Sequence, residues 1–241
     1  MSRRLRYLGS ISPDNTCPTL HDDTETEDVV VQGDAVTDPD DITQFRDIKP
    51  GEGFVTAPRL VEHNPVLISL DEFDDLFTTF QYTAYRLETR RRYRSDEQSE
   101  TYRQFIAGQP PEWDLETPWC RSRREQSALG KRFERVRIMD NPPTPGQRYL
   151  LNNSERNSRV GEDIRYLWRA DAERLGLPEE DAWLFDSRFI ALLHFDSDDD
   201  LIHVELITDP VRVARACQER DAAWHYAVPH GEFGAQVAPG S

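Results

Sequence analysis

A chain of 241 residues with 37% hydrophobic and 10% aromatic side chains can bury a substantial core, as one or two domains. Its 45 acidic against 29 basic side chains give a formal net charge of -16, which opposes general binding to DNA or anionic lipid and favours a basic partner protein. The longest apolar run, FIALLHF at 189–195, is far too short to span a bilayer, and the opening MSRRLRYLGSIS lacks the apolar stretch of a signal peptide. Cys17, Cys120 and Cys217 form neither a CxxC pair nor a disulfide framework, so the expectation is a cytoplasmic chain with reduced thiols, no metal and no cofactor.

The charge is uneven along the chain. Residues 1–75 carry 6 basic and 17 acidic side chains, residues 81–137 carry 13 and 9, and residues 138–241 carry 10 and 19. Only the middle segment suits a polyanion.

Residues 1–61 read as a small β-rich module. LRYLGS, VVVQG at 29–33 and GFVTAPRLV at 53–61 are predicted strands, and Asp38-Pro39 opens a short helix with Ile42 and Phe45 inward. Residues 62–68 are a linker to the main domain, 69–228. There Ser69 and Glu72 form a capping box, and Leu70, Phe73, Leu76, Phe77 and Phe80 recur at helical spacing, which predicts a helix over 70–80.

The stretch YRLETRRRYR at 85–94 sets Arg86, Glu88, Arg90, Arg92 and Arg94 in alternation with Tyr85, Leu87, Thr89, Arg91 and Tyr93. That spacing predicts a strand with one solvated, charged face, because a helix would stack Arg86, Arg90 and Arg94 in one self-repelling row. SDEQSETYRQFIAG then reads as a helix with Tyr102, Phe105 and Ile106 inside, ended by Gly108. A loop at PPEWDLETP precedes a helix that stops near Gly130. RFERVRIM at 132–139 is a strand whose Phe133, Val136 and Ile138 do not keep parity, followed by a polar helical stretch to Val160. Further strands fall at 163–168, 182–186, 188–195 and 201–207, the last two joined by the DSDDD turn. Asp209-Pro210 opens a helix to about Tyr226, and residues 229–241 are expected to be a flexible tail. The expected fold is α+β: a curved, mostly antiparallel sheet with helices on one side, preceded by the small β-rich N-terminal module.

LDEFDDLF, YRLETRRRY, GKRFERVRIM, GEDIRYL, WLFDSRFIALLHFD and TDPVRVARACQERDAAWHYAVP occur in this order, and through them residues 66–229 resemble an uncharacterised actinobacterial family, domain of unknown function 6879. Residues 3–60 resemble a short protein encoded beside that family, here fused to it. The resemblance implies a genomic setting next to helix-turn-helix regulators. It supplies no catalytic residues.

Chemistry must therefore come from the residues. Asp196, Asp198 and Asp200 match three positions of an EF-hand loop, but Leu201 and Ile207 stand where Gly and Glu belong, so a hairpin turn is the better reading. His194 with Asp196, and His203 with Glu205, could orient a general base, yet no spacing sets a third metal ligand. There is no P-loop, GxGxxG, GxSxG or HExxH.

The anion-binding candidates are Arg86, Arg90, Arg92, Arg94 and Arg137, in a site shared with Arg121, Arg123, Arg124 and Arg135, where Tyr85, Tyr93 or Trp119 could stack. The leading expectation is a non-enzymatic regulatory or interaction protein. It would bind a basic partner, such as a helix-turn-helix regulator, through an acidic surface that includes Asp38, Asp40, Asp41, Asp198 and Asp199. The alternative is a phosphate-directed enzyme, such as a ribonuclease-like toxin, with the arginines on phosphate and Glu134 or His194 as acid or base.

Overall fold

The computed structural model describes residues 5–10, 19–23, 29–32, 34–42, 55–56 and 66–237, and the chain divides into two compact units, Met1–Asn64 and Pro65–Ser241. In the first unit, β1 (Leu5–Ser10), β2 (Thr19–Asp23) and β3 (Val29–Gln32) form an antiparallel meander. The short strands β4 (Asp34–Ala35) and β5 (Val55–Thr56) pair with each other. Helix α1 (Pro39–Ile42) follows Asp38, whose Oδ1 accepts the Asp40 N–H at 2.9 Å. Phe45 and the expected strand residues 57–61 lie outside the described residues.

The second unit is built on an eight-stranded sheet. Its first elements are β6 (Val66–Ile68) and α2 (Leu70–Thr79), the latter opened by the Ser69/Glu72 capping box. The strand in the arginine-rich stretch is β7 (Thr83–Glu88), and it ends before the arginine triplet. The expected single helix after it is two pieces, α3 (Arg94–Glu97) and α4 (Glu100–Ile106), because Ser99 turns its side chain to cap the second. Ile106 lies on the exposed surface, not inside as expected.

Next come α5 (Pro118–Ala128), β8 (Arg132–Met139), α6 (Pro145–Arg159), β9 (Glu162–Trp168) and α7 (Arg169–Arg174). The unit ends with β10 (Ala182–Phe185), β11 (Phe189–Phe195), β12 (Leu201–Ile207), α8 (Pro210–Tyr226), β13 (Val228–Pro229) and α9 (His230–Phe233). The strand order is β13-β9-β8-β7-β10-β11-β12-β6, with β7, β8 and β9 parallel and every other ladder antiparallel. The fold is α+β with a mostly antiparallel sheet.

Helices cover both faces of that sheet, not one. Consecutive residues of a strand point to opposite faces. Ala84 packs with Phe73 and Phe77 of α2 and with Phe80 just after it, whereas its neighbour Tyr85 packs in a second core with Val213 and Ala223 of α8. This explains the broken parity of RFERVRIM: Phe133 faces α2, while Val136 and Ile138 face the α7 and α8 side. Residues 229–237 are not a loose tail, and the rest of the expected tail, 238–241, lies outside the described residues. Phe233 is fully buried and stacks on Tyr166, with ring centroids 4.9 Å apart.

Candidate functional site

Two-sided cover decides the fate of the arginine-rich stretch. The even face of β7 is not wet: Arg86 and Glu88 point into a layer roofed by α2, α5 and α6, where Arg135 and Arg137 of β8 join them. Around a cavity of about 320 Å³ stand Phe77 of α2, Trp119 and Arg123 of α5, Asn153 and Arg156 of α6, and Trp183 of β10. Asp96 of α3 closes the rim.

Three carboxylates organise the guanidinium groups. Glu88 Oε1 lies 3.2 Å from Arg86 Nε and accepts from Arg135 Nη1 at 2.5 Å, and its Oε2 accepts from Arg137 Nε. Glu162 takes the other side of Arg135 at 3.1 Å, accepts from Asn157 Nδ2 at 3.1 Å, and lies 3.4 Å from Arg123 Nε. Asp181 accepts from Arg86 Nη2 at 2.9 Å, from the Thr89 N–H at 2.7 Å and from the Tyr93 hydroxyl. Arg137 completes its bonding with the Leu150 carbonyl and Ser154 Oγ, at 2.5 and 2.6 Å. Rings hold the planes: Arg86 and Arg135 lie over Trp183, and Arg123 lies over Phe77, Phe133 and Trp119.

The charges do not balance. Glu88, Arg123, Arg135, Arg137, Glu162 and Asp181 are at most 7% exposed, and the Arg86 side chain is 12% exposed. That makes four guanidinium groups against three carboxylates. That excess of one holds for the buried groups alone: at the rim the half-buried Arg156 stands against Asp96 and the exposed Asp74, which also acts on Arg123. Burial disfavours charge, but the guanidinium groups of Arg135, Arg137 and Arg86 outweigh it at Glu88 and hold its carboxyl well below the usual range. Burial lowers Arg86 and Arg137 too, and Glu88 more than restores them. At Arg123 burial wins, and the group is pushed down to about 10, because Glu162 is distant and shared and Arg135 adds repulsion. Burial also raises Asp96, to about 6.

Several polar atoms here have no hydrogen-bond partner among the described residues. They are Arg135 Nε, Trp183 Nε1 and Asn153 Oδ1, while Nε of Arg86 and of Arg123 each face a carboxylate oxygen without a well-aligned hydrogen bond. Unpaired buried polar groups of this kind are costly.

The other sequence candidates lie elsewhere. Arg90 and Arg92 follow β7 and both bond the Asp199 carboxylate, Arg92 Nε at 2.6 Å. With Arg91 and Arg169, which both pair with Asp140, they border a separate, wider crevice of about 880 Å³ in which each of these guanidinium groups meets a carboxylate. Arg94 opens α3 and lies 3.2 Å from Asp200. Arg124 pairs with Glu116, and Tyr85 meets Trp224 on the opposite face.

Glu134 also lies on that opposite face, raised by burial and 3.2 Å from Arg132. His194 stacks on His203 at 4.4 Å and bonds Glu205 at 2.9 Å, so its partner is Glu205 and not Asp196. Asp196 instead closes the hairpin by accepting the Asp198 and Asp200 N–H groups. The residues of the nuclease reading are not assembled. Of the acidic candidates, Asp38, Asp40 and Asp198 are exposed, and Asp199 is held between Arg90 and Arg92. The side chain of Asp41 lies outside what is described.

Sequence reasoning placed Arg86, Arg123, Arg135, Arg137 and Trp119 near an anion but missed Glu162, Asp181, Asn153 and Trp183. The available signal was RFERVRIM itself, where Arg135 and Arg137 alternate with apolar residues just as Arg86 does with Tyr85 and Leu87.

A family model described as a domain of unknown function (DUF6879) matches residues 71–235. No curated protein matches the chain. Among solved structures, the crystal structure of phosphatidylserine synthase from Haemophilus influenzae Rd KW20 is similar over 68% of this chain and 38% of that one, at 15% identity and a TM-score of 0.35. The chain thus spans well under half the length of that protein.

Proposed function

Because the chain belongs to the domain of unknown function family DUF6879, whose description assigns no activity, we propose its function from the cavity: a non-enzymatic regulatory protein that receives a small anionic ligand among the buried arginines. The observation that carries this reading is the excess of one buried guanidinium, centred on Arg123. An uncompensated buried charge is strongly unfavourable, and an anion in the cavity relieves it. Arginine suits the task because its planar fork stays charged and pairs with two oxygens at once.

The output of binding passes, in this proposal, to a basic partner of the helix-turn-helix regulator type. Asp71, Glu72 and Asp75 lie on the exposed side of α2, whose Phe73, Asp74 and Phe77 reach the cavity. In the first unit, read as a fused companion module, Asp38 and Asp40 are also exposed.

Calorimetric titration at fixed ionic strength tests the ligand reading, with inorganic phosphate, citrate and a nucleoside monophosphate as probes. At least one should bind saturably. Arg123→Met and, at the rim, Arg156→Gln should each weaken it by tenfold or more while circular dichroism stays unchanged. If no probe binds at millimolar concentration, or if both variants bind like the parent, the cavity is not an anion site.

A further inference from the structure

Strand β6 forms one border of the eight-stranded sheet and pairs with β12 through Val66–Leu206, Leu67–Glu205 and Ile68–Val204. Among the described residues no other strand or loop bonds its backbone. An outermost strand turns the N–H and C=O groups of alternate residues away from its sheet, where a further strand can pair with them.

The side chains at this border are apolar where they meet water. Val66 and Leu67 of β6, Leu70 at the start of α2 and Ile202 of β12 are each more than half exposed. Continuing the β6–β12 register by two residues sets Ile202 level with Leu70, so these side chains adjoin instead of lying scattered. Val66 and Leu67 point to opposite faces, so an added strand meets an apolar group on each. Sheet edges are commonly guarded by lysine or arginine, and residues 66–80 and 201–207 contain neither. The strand is short and Pro65 precedes it, so side chains must supply most of the affinity.

Charge selects the occupant. Only Ser69 separates β6 from α2, whose first two turns expose Asp71, Glu72 and Asp75. A second copy would set the same carboxylates, and a net charge of -16, against themselves. A basic helix meets the carboxylates but leaves the edge unpaired, because its own N–H and C=O groups bond each other. Resting on the basic-partner reading above, we infer that the β6 border is a docking edge whose occupant is an extended segment of another protein. That segment alternates basic with apolar residues and adds to the sheet as a further strand.

Fluorescence anisotropy of the full chain with labelled peptides at fixed ionic strength tests this. The probe is a short peptide of alternating lysine and valine. Its comparisons are the same peptide with a fully N-methylated backbone, an alternating glutamate–valine peptide, and a helical lysine–alanine peptide of equal charge. The probe should bind at least about tenfold more tightly than each of the three, and should slow hydrogen exchange over residues 66–68. Leu67→Lys and Ile202→Lys should each weaken it about tenfold with circular dichroism unchanged. The double variant Asp71→Asn/Asp75→Asn, which leaves the apolar border intact, should weaken it about fivefold. If the N-methylated or the helical peptide binds as tightly as the probe, strand addition falls while a basic partner stands. If no lysine peptide binds at millimolar concentration, the basic-partner reading falls with it. If the glutamate peptide matches the probe, or if light scattering shows a dimer that Leu67→Lys makes monomeric, the assignment of a basic occupant falls.

Discussion

Arg86 and Arg135 are register partners on the adjacent parallel strands β7 and β8, and one carboxylate oxygen of Glu88 meets both, 3.2 Å from Arg86 Nε and 2.5 Å from Arg135 Nη1. Like charges directly opposite each other destabilise a sheet, so Glu88 is what allows the pair to stand there. Arg137, the register partner of Glu88 itself, takes the second oxygen.

Glu88→Gln should therefore cost about 3 to 5 kcal/mol in urea unfolding, because it leaves buried cations without their counter-charge. Replacing Arg137 with Met in the same chain should recover part of the loss, since fewer unpaired charges remain. The folded carboxyl of Glu88 is held below its unfolded value, so its stabilisation is present above about pH 4.5 and drains away as acid is added. Acid titration of the parent should show that loss, and the Gln variant should show a flatter curve. Equal acid sensitivity in the two would remove Glu88 from its central role.

Asp96 has the opposite sign. Its folded value is raised by burial to about 6, so the folded state binds its proton more tightly than the unfolded chain between about pH 4 and 6. Stability falls as pH rises through that window, and at pH 7.5 the charged group is a burden. Asp96→Asn should raise Tm by about 2 to 4 °C at pH 7.5 and change little at pH 4. Scanning calorimetry at both values checks this, and a lower Tm at pH 7.5 contradicts it.

Gly146 lies in the first turn of α6 under the arginine loop. A Cβ there would stand 2.6 Å from the Arg91 carbonyl oxygen and 3.0 Å from Arg92 Cβ. The same carbonyl accepts from Thr144 Oγ1 at 2.8 Å, so it is not free to retreat. Gly→Ala in a helix usually stabilises; Gly146→Ala should instead cost about 1 to 3 kcal/mol, read from a shift of the urea midpoint. A stabilised variant would mean the loop yields easily.

Arg90 and Arg92 belong to the Asp199 clamp and not to the cavity. The double variant Arg90→Ala/Arg92→Ala should keep ligand affinity within about twofold of the parent, since distant sites act independently. Loss of binding in that variant would move the anion site to the wider crevice.

The sequence made much of this legible. The Ser69/Glu72 box, the Asp209-Pro210 start of α8 and the β11–β12 hairpin follow from local chemistry that tertiary packing does not override. Alternation in the arginine-rich stretch correctly indicated a strand and set Arg86 and Glu88 on one face, but the strand ends at Glu88, so Arg90, Arg92 and Arg94 do not share that face. It could not say whether that face meets water, because periodicity reports direction and not cover. Helix α6 shows the same limit. It has a polar sequence, yet Gln147, Asn153, Ser154 and Asn157 are buried, since the layer beneath them is ionic. Glu162 and Asp181 come from segments far from the arginines, so only the strand order joins them.

The pairing of β13 with β9 also bears on solubility. A sheet edge with free N–H and C=O groups recruits strands from other molecules, and here the β9 border is closed by a two-residue strand containing Pro229, which has no N–H to offer. Phe233 pins that strand by filling the space beside Tyr166 and Trp168. Shortening the chain to residue 227 would uncover both a hydrogen-bonding border and an aromatic patch, and self-association would be the first symptom of the missing fourteen residues.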